Sequence, residues 1–278
     1  MTRPRGKHLD VRNHPDPSLA MRCAALLAAC ATALAPSPAK VQLLKAIETF
    51  KEATDADGNV PIDFGVKGGE LDGDTRAPRN LFPDGFRAVS GRVGDAADVV
   101  MKAVDALAAE PSLAEAATAS WPDPSSPLDG EWSNLWTTAA DATFDARSER
   151  GAARVSNVVD AKRGKITNVI AFESPTSKVD TLKVRLRTKA IGNKRLQLTF
   201  LRVKVTFRKR LLGIFRSIYI PVPSVLISRL IFLFKRKMPP RPFFDLLFLD
   251  KDLRVQRTGE GNVFIQRRPG VATAAAPT

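Results

Sequence analysis

The chain has 278 residues, 44% of them hydrophobic, and a formal net charge of +14. That is enough for one generous domain, or one domain with extensions, and too apolar for a disordered chain. Its two Cys (Cys23, Cys30) and two His (His8, His14) all fall in the first forty residues; if that region is removed on maturation, disulfides, Cys/His zinc sites and His-based triads are excluded together.

Charge divides the chain. Residues 1–150 hold 16 Lys and Arg against 22 Asp and Glu, whereas residues 151–278 hold 27 against 7. A basic second half suits an anionic partner, either a membrane surface or nucleic acid.

Residues 1–39 read as a targeting presequence. Met21 is a candidate start. Arg22 precedes the apolar run Cys23–Cys30, and Ala31-Thr32-Ala33 has the small-residue layout of a signal cleavage site. An ordinary secretory signal and a plain Ala-rich helix remain open readings. Residues 41–53 predict an amphipathic helix with Val41, Leu44 and Ile47 on its stripe. Residues 55–92, rich in Gly, Asp and Pro, predict a long loop. Its opening Asp55-Ala56-Asp57-Gly58-Asn59 is like a calcium loop, but Val66 and Lys67 stand where the bidentate Glu belongs. Residues 94–109 predict a second helix, stopped by Pro111, and residues 112–127 an Ala/Ser/Pro linker.

From Gly130 to Arg267 the pattern predicts eight to nine strands, a mainly β chain closing into an antiparallel barrel. Gly130 would let the first strand bend and Trp132 would plug the floor. Residues 153–160 and 165–172 flank Lys162-Arg163-Gly164, a hairpin turn. Leu182, Val184 and Leu186 alternate with Lys183, Arg185 and Arg187. Leu196, Leu198 and Phe200 alternate in one phase, and Leu201, Val203, Val205 and Phe207 in the other, which marks a bulge or barrel corner. In residues 211–234 the longest charge-free run is the twelve residues 217–228, broken by Pro221 and Pro223. A spanning helix needs ~20, so two strands with a rim loop fit better. The C-terminus predicts three strands, with turns at Asp250-Lys251-Asp252 and Gly259–Asn262, and residues 271–278 a frayed tail.

Two of these stretches carry a resemblance. Leu249-Asp250-Lys251-Asp252-Leu253-Arg254-Val255-Gln256-Arg257, then Gly261-Asn262-Val263-Phe264-Ile265, resembles the C-terminal signature of the plastid-lipid-associated proteins, or fibrillins, with Phe248 where the family usually has Tyr. Leu128-Asp129-Gly130-Glu131-Trp132 through Thr137-Thr138 resembles the family's opening strand, with Trp136 at its Tyr place, and also the Gly-x-Trp entry of lipocalins. Residues 31–36 are similar to the plastid cleavage motif of algae with complex plastids, with Leu34 in place of Phe. The resemblance spans about residues 94–268. It implies a lipocalin-like barrel that binds prenylquinones, carotenoids, fatty acids or other plastid lipids, and peripheral association with plastoglobules or thylakoids.

The candidate ligand-binding residues are then Trp132, Asp252 and Arg254. Asp252 and Arg254 fall on signature positions, and the resemblance implies that the Asp belongs to the ligand site. Trp132 as a structural plug, and Asp252–Arg254 or Asp250–Arg257 as an ion pair pinning the last hairpin, are the alternatives. The candidate membrane contacts are Ile220, Val222, Lys235, Arg236 and Lys237, apolar tips beside basic residues; buried strands with solvated charges are the other reading. No nucleophile and base set is visible among the barrel's carboxylates, so no enzyme, metal or cofactor is expected. A basic nucleic-acid-binding module is the alternative function, weakened because Phe200, Phe207, Phe215 and Phe232 mostly occupy apolar phases.

Overall fold

The computed structural model describes residues 37–58, 91–139, 153–211, 214–222 and 241–270. Residues 1–36 of the expected presequence, residues 59–90 of the expected loop, Lys235–Lys237 and residues 271–278 lie outside the described residues.

Helix α1 (Pro38–Ala56) starts with Ser37 as N-cap, its hydroxyl accepting the Lys40 amide at 3.2 Å, and Pro38 in the first turn. This start lies three residues before Val41, where periodicity alone placed it, and Val41 itself is exposed, so the buried face is turned toward Leu43 and Phe50. Leu43, Ala46, Ile47, Phe50 and Ala53 are buried at helical spacing. Helix α2 (Gly91–Ala108) repeats the pattern with Val93, Ala96, Ala97, Val100, Ala103, Val104 and Leu107. The small alanines let the two helices pack against each other closely.

The stretch expected as a linker instead holds a third helix, α3 (Ala114–Ala119). Ala114, Ala117, Thr118, Trp121, Ser126 and Leu128 are all buried. Small residues here are not spacers. They let a single helical turn fit against the end of the barrel, where the Leu113 amide donates to Leu249 O at 2.7 Å.

Nine strands follow among the described residues: β1 (Gly130–Thr137), β2 (Ala153–Asp160), β3 (Lys165–Phe172), β4 (Val179–Ala190), β5 (Arg195–Leu211), β6 (Phe215–Pro221), β7 (Phe243–Leu249), β8 (Leu253–Thr258) and β9 (Val263–Arg267). Eight close an antiparallel ring in the order β1–β2–β3–β4–β5–β7–β8–β9 and back to β1. The expectation of a mainly β chain closed into an antiparallel barrel holds. The phase change in β5 is a bulge: Leu186 pairs with Phe200 and Arg185 with Arg202, leaving Leu201 extra.

Strand β6 is the ninth. It pairs with β5 over Arg202–Thr206, on the edge that β7 occupies lower down over Arg195–Gln197. Between them Val222 donates to Leu201 O at 3.1 Å and Leu198 to Pro242 O at 2.8 Å. Strands β6 and β7 therefore continue one another along β5, and the β4–β5–β6 side of the barrel stands taller than the side that ends at Thr258.

Helices α1 and α2 cover the outside of the shorter side. Trp136, Phe248, Leu253, Val255, Val263 and Ile265 form one core with them, and Phe50 meets Trp136 edge-on, centroids 5.8 Å apart. Lys40 Nζ lies 2.6 Å from Asp250 Oδ2, tying the start of α1 to the β7–β8 turn.

Candidate functional site

Register assigns the inner face row by row. Lowest are Gly130, Val159, Ile166, Leu186 and Phe200, level across β1 to β5. Next come Trp132, Asn157, Asn168, Val184, Val203 and Ile220. Highest are Val155, Ile170, Leu182, Val205 and Ile218.

Along β2, β3 and β4 exposure rises from the lowest row to the highest. Val159, Ile166 and Leu186 are buried in the core shared with α3, whereas every member of the highest row is partly exposed. One end is therefore sealed. Among the described residues, the other end is an apolar mouth.

The seal is built around Trp132, which is 0% exposed and donates Nε1–H to Leu128 O at 2.9 Å. Gly130 precedes it at φ +108°, left-handed backbone that favours glycine. A Cβ there would also stand 2.5 Å from Arg268 Nη1. That guanidinium sits 4.3 Å from the Trp132 ring and donates to the carbonyls of Pro127, Asp129 and Lys251 at 2.8 Å each. Residues 127–132 and the C-terminal strand are thus knotted together through one arginine.

The other wall is different. Leu249, Arg254, Gln266 and Asn134 form one inward row across β7, β8, β9 and β1, and Leu246, Gln256, Phe264 and Thr137 the next. Arg254 is 0% exposed. Its Nε donates to Gln266 Oε1 at 2.8 Å, its Nη2 donates to Gln266 and Asn157, and its carbon centre lies 5.3 Å from the Trp132 ring. Gln266 donates in turn to Asn157 at 2.7 Å, and Asn157 to Asn168 at 2.9 Å. No carboxylate among the described residues forms an ion pair with Arg254. Burial, with the nearby Arg268 charge, pulls its pKa down to about 9. Arg254 Nη1, Gln256 Oε1, Thr258 Oγ1 and Asn134 Oδ1 are buried without a hydrogen-bond partner.

A lipocalin-like cup with this floor is the setting in which the comparison with known families decides. The PAP_fibrillin family model matches residues 92–267. The chain belongs to the PAP/fibrillin family. It is a structural, lipid-associated and plastid-associated family. No curated protein and no solved structure matches the chain. The matched span runs from the start of α2 to the end of β9, so α2 belongs to the fibrillin unit along with the barrel.

Within this fibrillin fold the expected site residues separate. Trp132 and Arg254 come together at the floor. Asp252 does not join them. It lies in the β7–β8 turn, 3.7 Å from Lys40 Nζ and 3.9 Å from Lys251 Nζ. Neither anticipated ion pair forms, because both turn carboxylates face Lys40, while Arg257 reaches Asp105 at 3.2 Å. Asp250 also caps its own turn, accepting the amides of Asp252 and Leu253 at 2.7 and 2.6 Å.

Ile220 is 49% exposed at the mouth and Val222 partly so; Lys235, Arg236 and Lys237 lie outside the described residues. Ile214, Phe215 and Tyr219 are exposed beside them. Phe215 therefore faces outward, unlike the inward phase expected for the basic-half aromatics. Sequence reasoning missed Asn157, Gln256 and Gln266. Each is a polar residue at an inward position of a strand, a signal readable only once register is known. Among the described residues no group of three or more His, Cys, Asp or Glu could hold a metal ion.

Proposed function

We propose that this fibrillin binds a small hydrophobic molecule, a prenylquinone, carotenoid, fatty acid or similar lipid, inside the barrel and associates peripherally with plastoglobules or thylakoid membranes. The observation that carries the reading is the exposure gradient of the inner rows. Apolar side chains that are half-exposed around a mouth and sealed at the floor leave surface for an apolar guest, since ligand sites are concave and mostly apolar with a few polar groups that set orientation. The mouth supports the membrane half of the reading. Ile214, Phe215 and Ile220 are exposed beside Arg208, Lys209, Arg210 and Arg216, a combination suited to anionic headgroups with apolar tips in the acyl layer.

Among the described residues the lumen is lined by one arginine, amides and hydroxyls without a paired acid and base, which supports a carrier or structural lipid-binder over an enzyme. Native mass spectrometry of the protein taken from its own membrane should find a co-bound lipid. Flotation with galactolipid vesicles containing anionic lipid should recover it, and single-stranded DNA at moderate salt should not compete. Recovery of lipid-free protein that ignores vesicles but binds the DNA would reverse the reading in favour of a nucleic-acid module.

A further inference from the structure

A guanidinium wholly removed from water, with no carboxylate paired to it, is an expensive feature, and a single partner charge would offset most of its cost. Arg254 is in that state. Its Nε and Nη2 are committed to Gln266 and Asn157, and Nη1 is left over. The next inward groups along β8, at Gln256 and Thr258, each carry an unpartnered buried oxygen as well. Asn168, hydrogen-bonded to the Asn157 that holds Arg254, is already partly exposed. The polar groups therefore run up β8 from the floor and, through Gln266 and Asn157, across to Asn168 on β3, where they meet the apolar face of β4 at Val184.

We infer that the lumen takes an amphiphile with a single monoanionic head, a carboxylate, which seats on Arg254 while its apolar tail runs up the β4–β5 wall to the mouth. This rests on the barrel being a lipid binder and specifies which lipids it holds and which way round. Charge and donor number select the head. Arg254 has one nitrogen to spare, and Arg268, the other guanidinium against Trp132, has all three of its nitrogens committed to carbonyls, so the free donor matches one oxygen pair and not the three oxygens of a phosphate monoester. The tail has an apolar wall from Leu186 to Leu182, about 13 Å at ~3.3 Å per residue.

The experiment uses the full purified chain and three ligands of one tail length: dodecanoic acid, dodecanol and dodecyl phosphate, titrated by calorimetry at neutral pH. The acid should bind at least tenfold tighter than the alcohol and tighter than the phosphate. In Arg254→Gln the acid should fall to the affinity of the alcohol. If that variant fails to fold, the comparison on the unaltered chain still decides. Equal binding of acid and alcohol overturns the carboxylate seat but leaves the lipid-binding lumen standing, with water filling the polar track. Tighter phosphate binding overturns the monoanion. Binding of none of the three overturns the lumen reading itself.

Discussion

The two sides of this barrel are built inside out relative to each other. On β4 the apolar residues Leu182, Val184 and Leu186 face the lumen and the basic Lys183, Arg185 and Arg187 face outward. On β8 the apolar Leu253 and Val255 face outward, into the core with α1 and α2, while Arg254 and Gln256 face the lumen. Both strands alternate with the same period of two. The difference lies in what covers the outer face. A wall facing water must keep its apolar residues inside, whereas a wall roofed by helices can put them outside and is then free to line the lumen with polar groups. The helices thus do more than stabilise the barrel, because they permit one wall of the cup to be polar.

The largest effect that tests this contrast is core truncation on the roofed side. Leu253 is 1% exposed between the sheet and the helices, so Leu253→Ala should cost about 2–5 kcal/mol. Leu182→Ala, at the half-exposed mouth, should cost under about 1.5 kcal/mol. Urea midpoints at constant m-value measure both. Equal losses would mean that the two walls are packed alike.

The second test concerns the polar lining. Arg254→Met removes a buried charge and leaves the Gln266–Asn157 hydrogen bond in place, so at pH 7 it should be neutral or stabilising by up to about 4 kcal/mol. The pH dependence follows in sign. The folded protein holds Arg254 at about 9, well below the ordinary range of an arginine, so above about pH 9 the unfolded chain binds the proton that the folded chain has lost. Stability contributed by this site therefore rises as pH climbs above about 9, until the unfolded chain loses the proton too, and the penalty is fully present below 9. The difference between the parent and Arg254→Met should shrink as pH climbs through that window. A difference that stays flat from pH 8 to 11 would mean the arginine is compensated in the folded state.

These contrasts also show where the sequence was readable. Strand periods, the Lys162–Gly164 turn and the Leu201 bulge are local, and they stood in the chain as patterns of two. The Gly130 and Trp132 pairing was legible because a floor plug needs a bend and a large ring. What stayed hidden was which side of a strand is inside. Leu253 and Val255 alternate with Arg254 and Gln256 whichever face the helices roof, and nothing within β8 says that α1, more than two hundred residues earlier, will lie against it. The 112–127 stretch was hidden for a similar reason. An Ala-rich run has no amphipathic signature of its own and becomes a stopper only against a barrel end. Asp252 shows the same limit, because a signature position in a tight turn does not say which way its carboxylate faces.

The smallest predicted effect probes how the roof is fastened. Lys40 reaches Asp250 at 2.6 Å and Asp252 at 3.7 Å, with side-chain exposures of 10%, 28% and 25%. Partial burial lets the closer contact count for more than a surface pair, so a double-mutant cycle of Lys40→Met with Asp250→Asn should return a coupling of about 1–2 kcal/mol. The cycle with Asp252→Asn should return less than about 0.5 kcal/mol, as expected of a longer, partly screened contact. Asp252→Ala should leave dodecanoic acid affinity where it was, because the carboxylate lies at the sealed end outside the lumen. If that substitution weakens the acid while the Lys40 coupling stays small, then Asp252 acts on the ligand and the fastening of α1 rests on the apolar core alone.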